Sequence, residues 1–370
     1  MMPKSFVSFP LLLSLTTAGL LTALSSPSSA DLPDARKEGT LTLSDLAIDP
    51  LNVSAIAIRG TLLAIGSDAG ASIQVFTKTG TDTYQAVPSS PILLDSKGAD
   101  DDIEGLAWGT DYLYVTGSHS LARNEAKAGK TVAENHARLA EPPKDEPSRK
   151  QVFRLKLDAS GALVAGSLEQ ITLDEAFKKH PILDRFRAIP SKENGIDIEG
   201  LAVDGDGLLF GLRGPSLRGP VIPVLAVTFA DNRFDTDAVK TEDRFLDLGG
   251  RGIRAMTEAP GGGFLVLGGP VGSEPTPYQL YFWDGQDALI GKDRQGAGNR
   301  VKALCRIGCP PVDQNGKVLS DRLVSCGDSG VKPEGLEAVG IRDGEIRFIV
   351  VYDGADGGAP TRFSCPFGNS

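Results

Sequence analysis

Apolar residues along the chain fall into short runs separated by Gly, Pro, Asp and Ser, with no long stretch of helical period. Such runs, bounded by turn residues, predict many short strands. One of them recurs as a motif. Asp102-Ile103-Glu104-Gly105-Leu106-Ala107-Trp108 reappears as Asp197-Ile198-Glu199-Gly200-Leu201-Ala202-Val203, and more weakly as Lys332-Pro333-Glu334-Gly335-Leu336-Glu337-Ala338. Gly252-Ile253-Arg254-Ala255-Met256 and Val53-Ser54-Ala55-Ile56-Ala57-Ile58 are fainter copies. After each copy come a turn and a second apolar strand, at 62–68, 112–119, 208–213, 264–269 and 346–353. Third and fourth strands follow at 72–77 and 84–94, 151–157 and 162–172, 221–229 and 241–248, and 278–283 and 300–307. The last unit lacks a fourth strand, and residues 40–43, which precede the first unit, are free to supply it.

Four strands per unit, five units and pairing of the two ends describe an all-β fold, a five-bladed β-propeller closed by its N-terminal strand. Uneven unit lengths leave six blades open. A two-sheet sandwich with a second domain is the competing fold, but it does not explain a motif recurring at one place in every unit. The predicted domain spans 31–370, with three interruptions. Residues 122–150 are polar and charged and read as a mobile surface insertion. Residues 174–187 read as a short helix capped by Asp174, with Ala176, Phe177, Ile182, Leu183 and Phe186 on its apolar side and Pro181 to kink or split it. Residues 308–330 form a Gly/Pro/Asp loop.

Composition supports this reading. The 370 residues include 44 Gly and 24 Pro, too many chain-breakers for an all-helical protein. The net charge of −10 gives no electrostatic reason to hold nucleic acid or anionic lipid. At the N-terminus, Lys4, an apolar run at 6–24 and Ser28-Ser29-Ala30 have the order of a secretory signal, cut after Ala30. An uncleaved anchor is the alternative, though Ser14, Thr16, Thr17, Gly19 and Thr22 make a poor spanning helix. No other segment is apolar enough to span a bilayer, so the expected location is periplasmic or secreted. The cysteines are Cys305, Cys309, Cys326 and Cys365. In an exported chain they predict one or two disulfides whose pairing the sequence leaves open, with a zinc site as the alternative.

In an antiparallel blade the start of the first strand and the end of the second meet on one face. Strand-one starts supply Asp102, Glu104, Asp197, Glu199, Arg251, Arg254, Lys332 and Glu334. Strand-two ends supply Asp68, His119, Arg213 and Asp353, with Arg123 and Arg218 a few residues on. Acids and arginines therefore converge at one channel mouth. Like charges packed this way need cations or arginine partners. In one reading Asp102 and Asp197 help hold a metal, Ca²⁺ by its preference for oxygen ligands. Glu104, Glu199, Glu334 and His119 then act as acid/base groups, while Arg123, Arg213, Arg218 and Arg254 bind an anionic substrate. In another reading the acids and arginines only tie neighbouring blades together. Gly327-Asp328-Ser329-Gly330 resembles a protease nucleophile loop, but His119, His136 and His180 lie in no matching motif. Trp108 and Trp283 are expected to pack blades rather than stack sugars.

The motifs Asp102–Ala107, Asp197–Ala202, Gly117–Arg123, Gly211–Gly219 and Leu248–Arg254 together resemble the bacterial family of domain of unknown function 3616, over about residues 53–338. That family carries no assigned activity, so the resemblance implies a site and not a reaction. The chain departs from the pattern at the expected mouth: Ala255 stands where an acid is usual, and Lys332-Pro333 where His-Ala is common. It is also distantly similar, by its E-G-L-A strands, to phytase-like and esterase-like secreted propellers. Two functions follow as expectations. One is hydrolysis of a small anionic phospho- or carboxyl-ester, with Ca²⁺ as the expected cofactor. The other is non-catalytic binding of a small anionic ligand or an envelope protein.

Overall fold

In the computed structural model, residues 32–94, 101–218, 220–293 and 300–368 are described. The expected signal segment, residues 1–30, lies outside them, as does Gly219. Five antiparallel blades make the propeller. From the channel outward, blade 1 has Val53–Arg59, Leu62–Ser67, Ser72–Lys78 and Thr83–Ala86. Blade 2 has Ile103–Trp108, Leu113–Gly117, Val152–Leu155 and Glu169–Ile171. Blade 3 has Asp197–Asp204, Gly207–Gly214, Val221–Phe229 and Val239–Asp247. Blade 4 has Gly252–Glu258, Phe264–Gly269, Gln279–Trp283 and Val301–Arg306. Blade 5 has Lys332–Arg342, Glu345–Asp353 and Thr361–Pro366. Each first strand packs against the first strands of both neighbouring blades, which closes the ring.

The apolar core is distributed between the blades. Five clusters of buried residues each join one blade to the next. Period-2 alternation divides each strand between two clusters. In Leu62–Ser67, Leu63 and Ile65 face blade 5, while Leu62 and Ala64 face blade 2. Inner strands are thus covered on both faces, and their sequences read as near-continuous apolar runs.

The ring closes as expected, but through a different segment. Arg36–Thr40, not 40–43, pairs with Thr361–Pro366 as the outer strand of blade 5. Thr42–Ser44 instead adds in parallel to Thr83–Ala86 of blade 1. An outer strand is solvated, so polarity does not bar it: Arg36 pairs with Glu345, and Lys37 with Asp321 at 2.8 Å. Other boundaries also move. Residues 84–94 divide into Thr83–Ala86 and Ile92–Leu93, and of 162–172 only Glu169–Ile171 pairs into the blade.

The insertion expected to be a mobile loop carries secondary structure. Helix α1, Val132–Ala140, starts with a capping box between Thr131 and Glu134, and Leu121–Ala122 pairs with Lys144–Asp145. The polar sequence hid α1, because none of its residues is buried. Helix α2 is short, Asp174–Lys179. Asp174 is its first residue rather than its cap, and a 3₁₀ turn at Leu183–Phe186 follows the break at Pro181. Two disulfides, Cys305–Cys365 and Cys309–Cys326, use all four cysteines. The first joins the outer strand of blade 4 to Thr361–Pro366 of blade 5, across 60 residues of chain. No helix among the described residues is long and apolar enough to cross a membrane.

Candidate functional site

Every first strand carries a register shift at the same place, so one residue of each is left without a partner. These residues are Ser54, Glu104, Glu199, Arg254 and Glu334. A bulge of this kind bends the strand and re-aims a side chain. Five bulges in register set a ring of five side chains at one end of the channel: one hydroxyl, three carboxyls and one guanidinium.

The ring is unevenly paired. Arg254 binds Glu199 through Nε at 2.8 Å and Nη1 at 2.9 Å, and also pairs with Glu334. Arg213, at the end of the second strand of blade 3, pairs with Asp197 and meets Glu199 at 2.7 Å. Both guanidinium groups are buried, and the acids beside them raise their pKa values. Ser54 donates to the Ile103 carbonyl. Glu104 has no ion pair or hydrogen bond among the described residues. Its carboxyl is pushed well above its ordinary pKa by burial and then by Glu199, Asp102, Glu334 and Asp68.

Above the ring lies a cavity of about 640 Å³, lined by Asp68, Asp102, Glu104, Asp197, Glu199, Arg213, Lys332 and Glu334. The insertion roofs it with Arg123, Glu125 and Leu139 of α1, facing Lys192 and Glu193 of the 3₁₀ turn Ser191–Glu193. The roof is tied by Arg123–Glu193, by Lys192–Glu125 at 2.9 Å and by Arg123 Nη1 donating to the Leu139 carbonyl at 3.1 Å.

At one side of the mouth Asp68, Glu334 and Asp353 each offer a carboxylate oxygen, all within 4.8 Å of one another. Asp68 and Asp353 hold equivalent places, the second-strand ends of blades 1 and 5. Asp353 pairs with Lys332. Burial, then Glu334 and Asp353, push Asp68 up to about 8. Burial also takes Glu334 and Glu199 up to about 7 against the pull of the arginines, and Asp197 up to about 6. Seven carboxyls (Asp68, Asp102, Glu104, Asp197, Glu199, Glu334, Asp353) face four cationic groups (Arg149, Arg213, Arg254, Lys332), an excess of three if all ionise. The mouth therefore favours protons or an added cation.

Of the residues expected here, Asp102, Glu104, Arg123, Asp197, Glu199, Arg213 and Glu334 line the cavity, and Arg254 closes its floor. Asp102 accepts from Ser118 and meets Arg149 at 3.2 Å. Three expected residues are not brought there. Arg218 sits exposed on a turn. His119 is buried against Phe177 of α2: its Nδ1 lies 3.1 Å from the Gly117 carbonyl, and its Nε2 accepts from the Leu173 N–H at 3.4 Å. With both ring nitrogens occupied and burial lowering its pKa to about 4, His119 stays neutral and packs the blade. Arg251 likewise serves blade 4, donating to the Pro277 carbonyl at 2.8 Å. Arg149 was not expected, because it belongs to the insertion, 47 residues from its partner Asp102.

No curated protein matches the chain. Among solved structures, that of AztD from Citrobacter koseri is similar with a TM-score of 0.27 and 10% identity, covering 81% of this chain and 54% of that one. The chain thus spans about half the length of that neighbour. A family model described as "Protein of unknown function (DUF3616)" matches residues 52–362, from the first bulged strand to the last blade, and the chain belongs to that family.

Proposed function

We propose that the mouth binds a divalent cation through Asp68, Glu334 and Asp353, and that the cation holds a small anionic ester for hydrolysis under the roof. The carrying observation is the convergence of three carboxylate oxygens within 4.8 Å on a cavity with excess negative charge. An all-carboxylate donor set suits a hard cation, with Ca²⁺ the best match. Arg213 and Arg254 are spent on carboxylates, so an anionic substrate would reach the site through the cation and Lys332 rather than through an arginine clamp. Glu104, whose carboxyl is pushed well above its ordinary pKa by burial and then by neighbouring acids, is the group to protonate the departing alkoxide as water adds to the phosphoryl or acyl centre. The water's lost proton then restores Glu104.

The engagement of Arg213 and Arg254 with Asp197, Glu199 and Glu334 favours a second reading, a non-catalytic propeller that binds a ligand or an envelope protein while these pairs lock the blades. Either function fits a periplasmic or secreted protein, since the two disulfides persist in an oxidising compartment and the leader expected at residues 1–30 would deliver the chain there. Turnover of 4-nitrophenyl phosphate and 4-nitrophenyl acetate, with Ca²⁺ and with EDTA, separates the two. Hydrolysis that EDTA removes, and that Glu104→Gln removes while Ca²⁺ still binds, supports the enzyme. Calcium binding with no turnover of either ester supports the second reading.

A further inference from the structure

Residues 123–143 of the insertion are knitted into one piece by their own hydrogen bonds. Thr131 and Glu134 close the capping box of α1. Asn135 accepts from the Lys127 N–H at 2.9 Å and donates to the Lys127 carbonyl at 3.0 Å. Arg138 Nε donates to the Glu125 carbonyl at 3.1 Å, and Asn124 donates to Glu141. Arg123 reaches the carbonyls of Leu139 at 3.1 Å and Glu141 at 3.4 Å. The chain enters and leaves this piece side by side, through the two-residue ribbon of Leu121–Ala122 and Lys144–Asp145. Beyond the ribbon, Arg149 is anchored on Asp102 at 3.2 Å. Besides the ribbon, two ion pairs tie the piece to the rest of the protein among the described residues: Arg123 with Glu193, and Lys192 with Glu125 at 2.9 Å. Their footing is firm. Asn194, which follows Glu193, exchanges hydrogen bonds with the backbone of Ser216 at 2.7 and 3.2 Å.

Apolar burial does not hold this piece down. None of the residues of α1 is buried, and its two large apolar side chains, Val132 and Leu139, are 75% and 45% exposed. What remains is two ion pairs open to solvent, which are individually weak and screened by salt. Elements that open readily have few buried apolar contacts. A piece that is stiff within itself, joined by a narrow ribbon and fastened by exposed charges, moves as a unit. Residues 122–126 and Leu139 line the cavity, so turning the piece away uncovers the mouth. We infer that residues 123–143 are a rigid lid that turns on the ribbon, latched by Arg123–Glu193 and Lys192–Glu125, and that release of the latch admits the ligand. The inference rests on the reading of the mouth as a ligand site, but it needs neither the cation nor catalysis.

The test is double electron–electron resonance between nitroxides at His136→Cys, exposed on α1, and Glu242→Cys, exposed on the outer strand of blade 3. The four native cysteines are paired with one another, so the labels attach to the introduced ones. The expected result is one narrow distance distribution at low salt. A second, separate peak should appear when Arg123→Ala and Lys192→Ala are added, and also with the latch intact at 1 M NaCl, where charges are screened beyond about 3 Å. An unchanged single peak in either arm overturns the lid, and a broad distribution already at low salt overturns its rigidity. The salt arm keeps the native latch and decides the matter even if the latch variant fails to fold. Neither Ca²⁺ nor ester is present, so a fixed roof would overturn the lid and leave the cation site standing, while a failed calcium titration would leave the lid standing.

Discussion

Glu104 and Glu199 occupy the same position in two copies of one motif, yet their surroundings give them opposite roles. Glu199 lies between Arg213 and Arg254, whereas Glu104 pairs with neither and is pushed up by burial and then by neighbouring acids. Glu199→Gln leaves two buried guanidinium groups each short of a partner, and loss of one member of a buried pair costs about 3–5 kcal/mol. Glu104→Gln removes the cost of holding a proton on a buried carboxyl, so stability should hold or rise. Denaturant unfolding in EDTA measures both, and equal losses would refute this division of roles. The sequence carried the convergence of these residues through the repeat itself, because one motif at one place in every blade must return to one face. It did not carry the bulges, which strict alternation passes over. Nor did it carry the fate of His119, whose partners Leu173 and Phe177 lie more than fifty residues away.

The Glu-Gly-Leu motif places a charge and a gap side by side within one strand. A Cβ on Gly105 would stand 2.7 Å from Leu201 Cβ, on Gly200 2.8 Å from Ile253 Cγ2, and on Gly335 2.4 Å from Val351 Cγ2 and 3.2 Å from the Ala55 Cα. The glycine lets the first strands pack closely while the bulged residue before it turns toward the mouth. Gly105→Ala should cost about 1–3 kcal/mol by overpacking. Gly129→Ala in the insertion, with nothing within 4 Å of its Cβ, should cost far less. Comparison of the two melting temperatures checks this, and equal values would contradict it. Inner strands were legible because burial on both faces writes them as apolar runs. Arg36–Thr40, α1 and the shortness of Glu169–Ile171 were not, because outer strands and surface helices are held by polar contacts from distant segments.

For the whole molecule, the five-blade count follows from the repeat, whereas the roof depends on pairs such as Lys192–Glu125 that no local pattern encodes. The excess of acids at the mouth sets the pH response. An acid whose pKa is higher in the folded state binds its proton more tightly there, so it adds stability below its unfolded pKa and loses it as pH rises through its folded one. With Asp197 near 6, Glu199 and Glu334 near 7 and Asp68 near 8, this contribution fades between about pH 4 and 8. The metal-free protein should therefore melt at lower temperature at pH 8.5 than at pH 5. Calcium should shrink that difference by binding the ionised carboxylates. A melting temperature that rises with pH in EDTA would contradict the charge balance described here. The most direct measurement is calorimetric titration of Ca²⁺ into EDTA-stripped protein at pH 8. One saturable event, lost in Asp68→Asn, is the predicted result. No saturable binding, or binding undiminished in Asp68→Asn, would contradict a cation site at the channel mouth.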